Sequence, residues 1–168
     1  SLAIEAIEHR RTRLGLSNTK TESISKRFEN LARLTRDASR GRQLFEQNCQ
    51  LCHRFKAVGA DVGPDLDSLN DRSGLALLTA ILNPNEAIEQ TYIAHELLLN
   101  DGVEWTVLIT HETPSDLHVT MASGERRFID KAQVRSIKAS SQSLMPEGWG
   151  EAMSNQNLAD LIGYLQTQ

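Results

Sequence analysis

The sequence has no apolar run that approaches the roughly 20 residues needed to cross a bilayer, so it predicts no membrane span. Aromatic residues make up only 5% of the 168 residues, while 39% are hydrophobic and 24% are charged. These proportions suit a globular protein and exclude a collagen-like or low-complexity chain. A nucleic-acid-binding motif is also missing, so no nucleic-acid partner is expected.

Cysteine is equally scarce, and its only two copies lie together in the segment Cys49-Gln50-Leu51-Cys52-His53. This is the spacing that attaches a c-type haem. Two thiols separated by two residues at a helix end can each add to one haem vinyl group, and the next residue then lies beneath the iron. The sequence therefore predicts one haem c bonded covalently through Cys49 and Cys52, with His53 as an iron ligand.

Three other interpretations of the two cysteines are weaker. A structural zinc site needs about four ligands, and His111 and His118 are separated by six residues, where finger-type sites usually have about three to five. A thioredoxin-type pair would follow a strand, whereas the residues before Cys49 have a helical pattern. A plain disulfide would leave His53 unexplained.

Two further residues are candidates for the surroundings of the iron. Pro64, which follows Gly63, is suited to present a carbonyl to the second ring nitrogen of His53, because its φ is fixed and it has no N–H. Met145 lies in an irregular loop bounded by proline and glycine, which could hold its sulfur as the sixth ligand. Other methionines and histidines remain open as alternatives: Met121, Met153, His9, His95, His111 and His118.

Residues 1–15 contain no central apolar block and no small-residue cleavage site, so no signal peptide is recognisable there. This does not argue against export, because bacteria attach haem c outside the cytoplasm. We therefore expect a periplasmic or otherwise exported protein.

Apolar periodicity predicts mainly helices. Near-helical spacing predicts two helices in the first forty residues, interrupted near Gly15. Further helices are predicted to begin at Ser39 and end at the cysteines, to begin at Ser73 and stop at Pro84, and to begin at Ser154.

A change of period marks residues 91–138. Alternation and turn residues, Asn100-Asp101-Gly102 among them, predict an antiparallel sheet of four or five short strands. Before this segment, Gly41 is predicted to let the first and last helices of the haem module cross closely against Tyr164.

Four segments carry a resemblance to a known family. They are Gly41-Arg42-Gln43-Leu44-Phe45, Gly63-Pro64-Asp65-Leu66, Ile81-Leu82-Asn83-Pro84-Asn85 and Leu144-Met145-Pro146-Glu147-Gly148. Over about residues 39–166 the chain resembles the haem-binding cytochrome c domain of planctomycetes and verrucomicrobia. The resemblance implies that Cys49 and Cys52 attach haem, His53 is the proximal ligand, Met145 is the distal ligand and Pro64 supports His53.

From these observations and this resemblance we expect a mostly α protein. It would have a class I cytochrome c-like helical haem domain over residues 39–168 and a small antiparallel β insertion at 91–138. Residues 1–38 would form a helical extension or linker.

The expected function is one-electron transfer by an electron-transfer module that is not itself an enzyme, within a larger exported dehydrogenase-like protein. Its expected partners are a dehydrogenase electron donor and an exported electron acceptor. The alternative is a haem-based gas sensor or peroxidase-like site with a labile sixth ligand. The β insertion could also dock a partner or form a homodimer.

Overall fold

The computed structural model describes residues 18–86 and 88–168. The predicted helix before Gly15 lies outside these residues. The described part contains five α-helices: α1 (Asn18–Ala32), α2 (Ala38–Asn48), α3 (Gly74–Leu82), α4 (Trp149–Ala152) and α5 (Asn155–Leu165).

Side-chain caps fix where the principal helices begin. Ser73 and Ser154 cap α3 and α5, as predicted, by accepting hydrogen bonds from Ala76 N and Asn157 N. The cap of α2 is Asp37 rather than Ser39, because the Asp37 carboxylate accepts the N–H groups of Ser39 and Arg40. A carboxylate at this position also stabilises the positive end of the helix.

The crossing of α2 and α5 is as close as the sequence predicts. A Cβ at Gly41 would lie 2.0 Å from Asp160 O and 2.7 Å from Tyr164 Cβ, so only glycine fits. Phe45 and Phe55 pack beside the crossing, and each ring contacts Tyr164 at a centroid distance below 6 Å. This crossing is the centre of the helical core.

Helix α1 contributes to the same core. Ile24 and Leu31 are buried in one hydrophobic cluster with Phe45 and Leu158. The domain boundary at residue 38 stays a prediction, but the packing of α1 is that of a core helix.

Seven strands accompany the helices within the described residues. A short hairpin after the cysteines pairs β1 (Arg54–Phe55) with β2 (Val58–Gly59). The other five form one antiparallel sheet in the order β6-β5-β4-β3-β7. They are β3 (Ala94–Leu99), β4 (Glu104–Glu112), β5 (Asp116–Met121), β6 (Arg126–Asp130) and β7 (Val134–Ala139).

The five-stranded sheet is curled. Strand β7 follows β6 in the chain but pairs with β3 at the opposite edge. Flat strands would place β6 and β7 about 19 Å apart, whereas the four residue steps from Asp130 to Val134 span at most about 14 Å. The sheet must therefore bend, and it encloses its own hydrophobic cluster of Leu97, Leu99, Val107, Leu117, Val119 and Ile129.

The antiparallel sheet predicted for residues 91–138 is confirmed, but the fold class as a whole is wrong. The chain is not mostly α, because the sheet has a core of its own and is not a small appendage on helices. The protein combines a helical unit and a β unit.

The sheet packs against the loop that follows the haem motif. Gly124, in the β5–β6 turn, would bring a Cβ to 3.6 Å from Val62 Cγ2, and Val62 is buried. At the edge of the sheet, Ser140 N donates to Ala94 O over 2.8 Å, which continues the pairing of β3 with β7. No helix in the described ranges is long and apolar enough to cross a membrane.

Candidate functional site

The two cysteines and His53 lie where α2 ends. Cys49 is the C-cap of the helix and donates its N–H to Phe45 O. The N–H groups of Cys52 and His53 then both bond to Cys49 O, at 3.1 Å and 2.9 Å. This tight turn brings the two thiols and the imidazole onto one short piece of backbone.

Both cysteines are free thiols that are neither bridged nor fully exposed. Burial, with a smaller effect from Cys52, raises the pKa of Cys49 to about 11. Burial also raises the pKa of Cys52. A catalytic redox pair has a lowered thiol pKa, so this site does not resemble one.

His53 is oriented by a single hydrogen bond. Its Nδ1 lies 2.9 Å from Pro64 O, the contact that the sequence predicts. Because a carbonyl can only accept, Nδ1 carries the proton. Burial lowers the pKa of His53, although the bond to Pro64 opposes the shift. The neutral ring therefore keeps a lone pair on Nε2, the form in which imidazole binds a metal.

The loop before Pro64 forms a cradle for the ring. A Cβ at Gly63 would lie 2.7 Å from His53 Cε1 and 3.0 Å from Nδ1. The N–H groups of Val62 and Gly63 both donate to Cys52 O. The loop is thus bonded to the cysteine turn and pressed against the flat face of the imidazole.

Sequence reasoning missed the β1–β2 hairpin that joins the cysteine turn to this loop. Its turn residues, Lys56 and Ala57, have φ of 50° and 61°. Glycine or asparagine usually marks such a turn, so the sequence gives no signal for it. The hairpin buries Phe55 completely in the helical core.

The three methionines lie in different surroundings. Met153 is buried in the helical core, and Met121 packs against the core of the sheet. Met145 is half-buried in the loop before α4, next to the helical core, and its N–H donates to Ser143 Oγ. Ser143 N in turn donates to Asn85 Oδ1 over 2.7 Å. This bond links the segment that ends at Asn85 to the residue directly before Leu144.

A buried indole near Met145 lacks a protein partner. Among the described residues, neither Trp149 Nε1 nor His95 Nδ1 has a hydrogen-bond partner, although both atoms are buried. Buried donors are normally paired, so Trp149 Nε1 is a donor without an acceptor from the protein. No motif or periodicity in the sequence distinguishes this residue.

These features fit a covalently attached haem. The described residues supply two unbridged thiols, a neutral imidazole with a free Nε2 and an unpaired buried donor beside the Met145 loop. They offer no group of three or more His, Cys, Asp or Glu side chains that could hold a metal ion. The zinc interpretation therefore has no support in the described part of the chain.

Comparison with known proteins indicates the same class, a protein that binds haem covalently. Residues 38–101, less than half of the chain, match the family model for cytochrome c. No curated protein matches the chain significantly. The matched segment contains Cys49, Cys52, His53 and Pro64 but ends before Met145.

The chain therefore contains a cytochrome c-like domain. The cofactor of this family is haem c, bound covalently and containing iron. Such a domain serves haem-based electron transfer and works with redox partner proteins.

Proposed function

We propose that this protein is an electron carrier in which Cys49 and Cys52 hold haem c through thioether bonds. His53 is the proximal iron ligand and Met145 is the distal one. When bound, haem iron supplies one-electron redox chemistry. The protein is then a module that passes electrons on and is not itself an enzyme.

The hydrogen bond from His53 Nδ1 to Pro64 O carries this proposal. At 2.9 Å it fixes the tautomer and the plane of the ring, and it leaves Nε2 as the coordinating atom. Gly63 and the two bonds to Cys52 O hold the loop in place. The proximal side is therefore preorganised before any ligand bond forms.

The position of Met145 supports its proposed role on the distal side. It is the one of the three methionines that lies in an irregular loop. Met153 is buried in the helical core, and half-buried Met121 lies in β5, where it packs against the core of the sheet. Two protein ligands would leave no open iron position, which favours electron transfer over gas or peroxide chemistry.

The proposed setting is a larger exported, dehydrogenase-like protein of the planctomycete and verrucomicrobial type. The four segments that resemble that group support this, and the bond between Asn85 and Ser143 brings the third of them close to the start of the fourth at Leu144. The electron donor would be a dehydrogenase and the acceptor another exported carrier. The curled sheet offers a separate surface for a partner or for a homodimer.

The attachment and the distal ligand can be tested on the purified holoprotein. We expect haem to remain with the protein after acid–acetone extraction, since thioether bonds survive this treatment. Ferric protein should show the weak long-wavelength charge-transfer band of methionine ligation, and ferrous protein should bind carbon monoxide slowly. Met145→Ala should abolish the band, lower the reduction potential and bind carbon monoxide rapidly.

Met121→Ala is the matched control, because it removes the same half-buried side chain from β5, where it packs against the core of the sheet. It should keep the band and the slow carbon monoxide binding. If wild-type protein binds carbon monoxide as fast as Met145→Ala, the sixth position is open. In that case the gas-sensor or peroxidase-like function replaces electron transfer.

A further inference from the structure

Arg27 of α1 bonds to the chain just beyond Met145. We call residues 145–155 the distal segment. The Arg27 guanidinium donates through Nη2 to Gly150 O over 2.9 Å and to Met153 O over 3.3 Å. Its Nε donates to Asn155 Oδ1 over 3.0 Å. One side chain thus makes three hydrogen bonds to the distal segment.

The distal segment needs such support because its only helix, α4, has four residues. A helix of one turn is not stable alone, and its last carbonyls have no partners within the helix. Arg27 bonds to Gly150 O inside α4 and to Met153 O directly after it. A cation at this end also interacts favourably with the helix dipole.

The fit between Arg27 and α4 is tight. A Cβ at Gly150 would lie 3.0 Å from Arg27 Nη1 and 3.3 Å from Leu82 Cδ2. A side chain at position 150 would therefore press on the guanidinium from one side and on α3 from the other. The glycine permits the close approach that the hydrogen bonds require.

The position of Arg27 is set by the packing of α1. Ile24 and Leu31, which flank it in the helix, are buried in the helical core. Phe28 lies over Gly74, where an added Cβ would be 2.7 Å from the Phe28 ring. Arg27 reaches the distal segment only while this face of α1 is docked.

We propose that Arg27 is a positioning residue for the distal haem ligand and that α1 acts as a latch on the distal segment. With α1 docked, the backbone that follows Met145 is held and its sulfur keeps a fixed position. With α1 displaced, the segment loosens and the ligand is released more readily. The inference rests on the proposed function, because it takes Met145 as the distal ligand.

The test compares two arginine variants of the holoprotein. Arg27→Gln removes the guanidinium from the distal segment. Arg36→Gln is the matched control, because Arg36 bonds to Gln166 Oε1 over 2.6 Å, at the other end of α5. Carbon monoxide association with ferrous protein, the reduction potential and the ferric charge-transfer band are measured, together with the denaturant midpoint.

We expect Arg27→Gln to bind carbon monoxide roughly tenfold faster than wild type, the factor that corresponds to one lost charge-assisted hydrogen bond. Its potential should fall and its charge-transfer band should weaken. Arg36→Gln should leave these three readouts unchanged, even where its denaturant midpoint falls equally. Arg27→Lys keeps the charge but not the planar guanidinium group with its several N–H donors. Its carbon monoxide rate and potential should lie between those of Arg27→Gln and wild type.

A second variant tests the same contact if Arg27→Gln incorporates haem poorly. Gly150→Ala should displace the guanidinium by a few tenths of an ångström and shift the readouts in the same direction by less. The inference is overturned if wild type shows methionine ligation while Arg27→Gln and Gly150→Ala retain its carbon monoxide rate and potential. A wild type without methionine ligation would instead overturn the role of Met145 itself.

Discussion

At the scale of single residues, two glycines allow close contacts in the helical unit. Gly41 allows α2 to touch the backbone of α5, and Gly63 allows the loop to touch the His53 ring. The first contact could be predicted, since a glycine inside a helix needs a packing reason. The second could not, because it depends on a loop path that no periodicity describes.

Gly41→Leu should overpack the α2–α5 crossing. The new Cβ alone would lie 2.0 Å from a backbone oxygen, so the helices must separate, and we expect a loss of about 1–3 kcal/mol in the free energy of unfolding. Denaturant unfolding of the holoprotein measures it. Gln43→Leu adds the same side chain to an exposed position of α2 and should change stability by less than about 0.5 kcal/mol. Equal midpoints for the two variants would refute the contact.

Asp160 is a buried carboxylate that ties α5 to the start of α2. Burial by itself raises the pKa of Asp160, but hydrogen bonds from Arg40, the Asp37 N–H and Gln156 outweigh it and hold the pKa below its usual value. A lowered folded-state pKa means that the stabilisation is complete above the unfolded pKa of about 4. It is lost as the pH falls through the folded value.

Asp160→Asn should therefore destabilise the protein by about 1–3 kcal/mol at neutral pH. The difference from wild type should shrink as the pH falls below about 4. Urea unfolding at neutral and acidic pH measures both values. A difference that stays constant over this range would show that the ionised form of Asp160 contributes nothing.

The β1–β2 hairpin shows, at the scale of elements, where sequence patterns fail. The sequence predicts the helix caps at Ser73 and Ser154 and the strand alternation from Ala94 onward, because each follows from local chemistry. The hairpin could not be predicted, because Lys56 and Ala57 adopt left-handed conformations that their side chains disfavour. Its geometry is imposed by the burial of Phe55 and by the bond from Lys56 N to Asp67 Oδ2.

Ala57→Gly should consequently stabilise the protein, by about 0.5 kcal/mol or slightly more, since glycine adopts φ of 61° without steric cost. The thermal midpoint of the holoprotein is the measurement. Ala60→Gly is the control three residues away, at a position that does not have positive φ. It should lower the midpoint, because there glycine only adds entropy to the unfolded chain. A lowered midpoint for both variants would contradict the left-handed turn.

At the scale of the whole molecule, the described residues form two hydrophobic clusters, and this explains the error in the predicted fold class. The haem motif and the family resemblance both describe the helical unit, so the sheet was expected to be a minor insertion. The curl of the sheet depends on the pairing of β7 with β3. That long-range contact gives the β unit its own core, and local alternation does not reveal it.

Separate cores predict separate responses to loss of the cofactor. Cys49→Ser/Cys52→Ser protein should lose amide protection in α2 and α5, with exchange faster by roughly tenfold or more, because a bound cofactor stabilises the unit that holds it. Strands β3–β5 should keep most of their protection, since most of their buried side chains belong to the second cluster. Hydrogen–deuterium exchange of variant and wild type measures this. Uniform loss across both units would mean that they fold as one.

The pairing of β3 with β7 places the two ends of the β unit side by side. His95 lies opposite Ala139, and Ser140 N bonds to Ala94 O. The chain thus enters and leaves the sheet at neighbouring positions. The β unit is therefore inserted between two helical segments at one site. An insertion of this kind can be gained, exchanged or removed without a change in how the helices are connected in space. The helical unit could accept other domains at the same site.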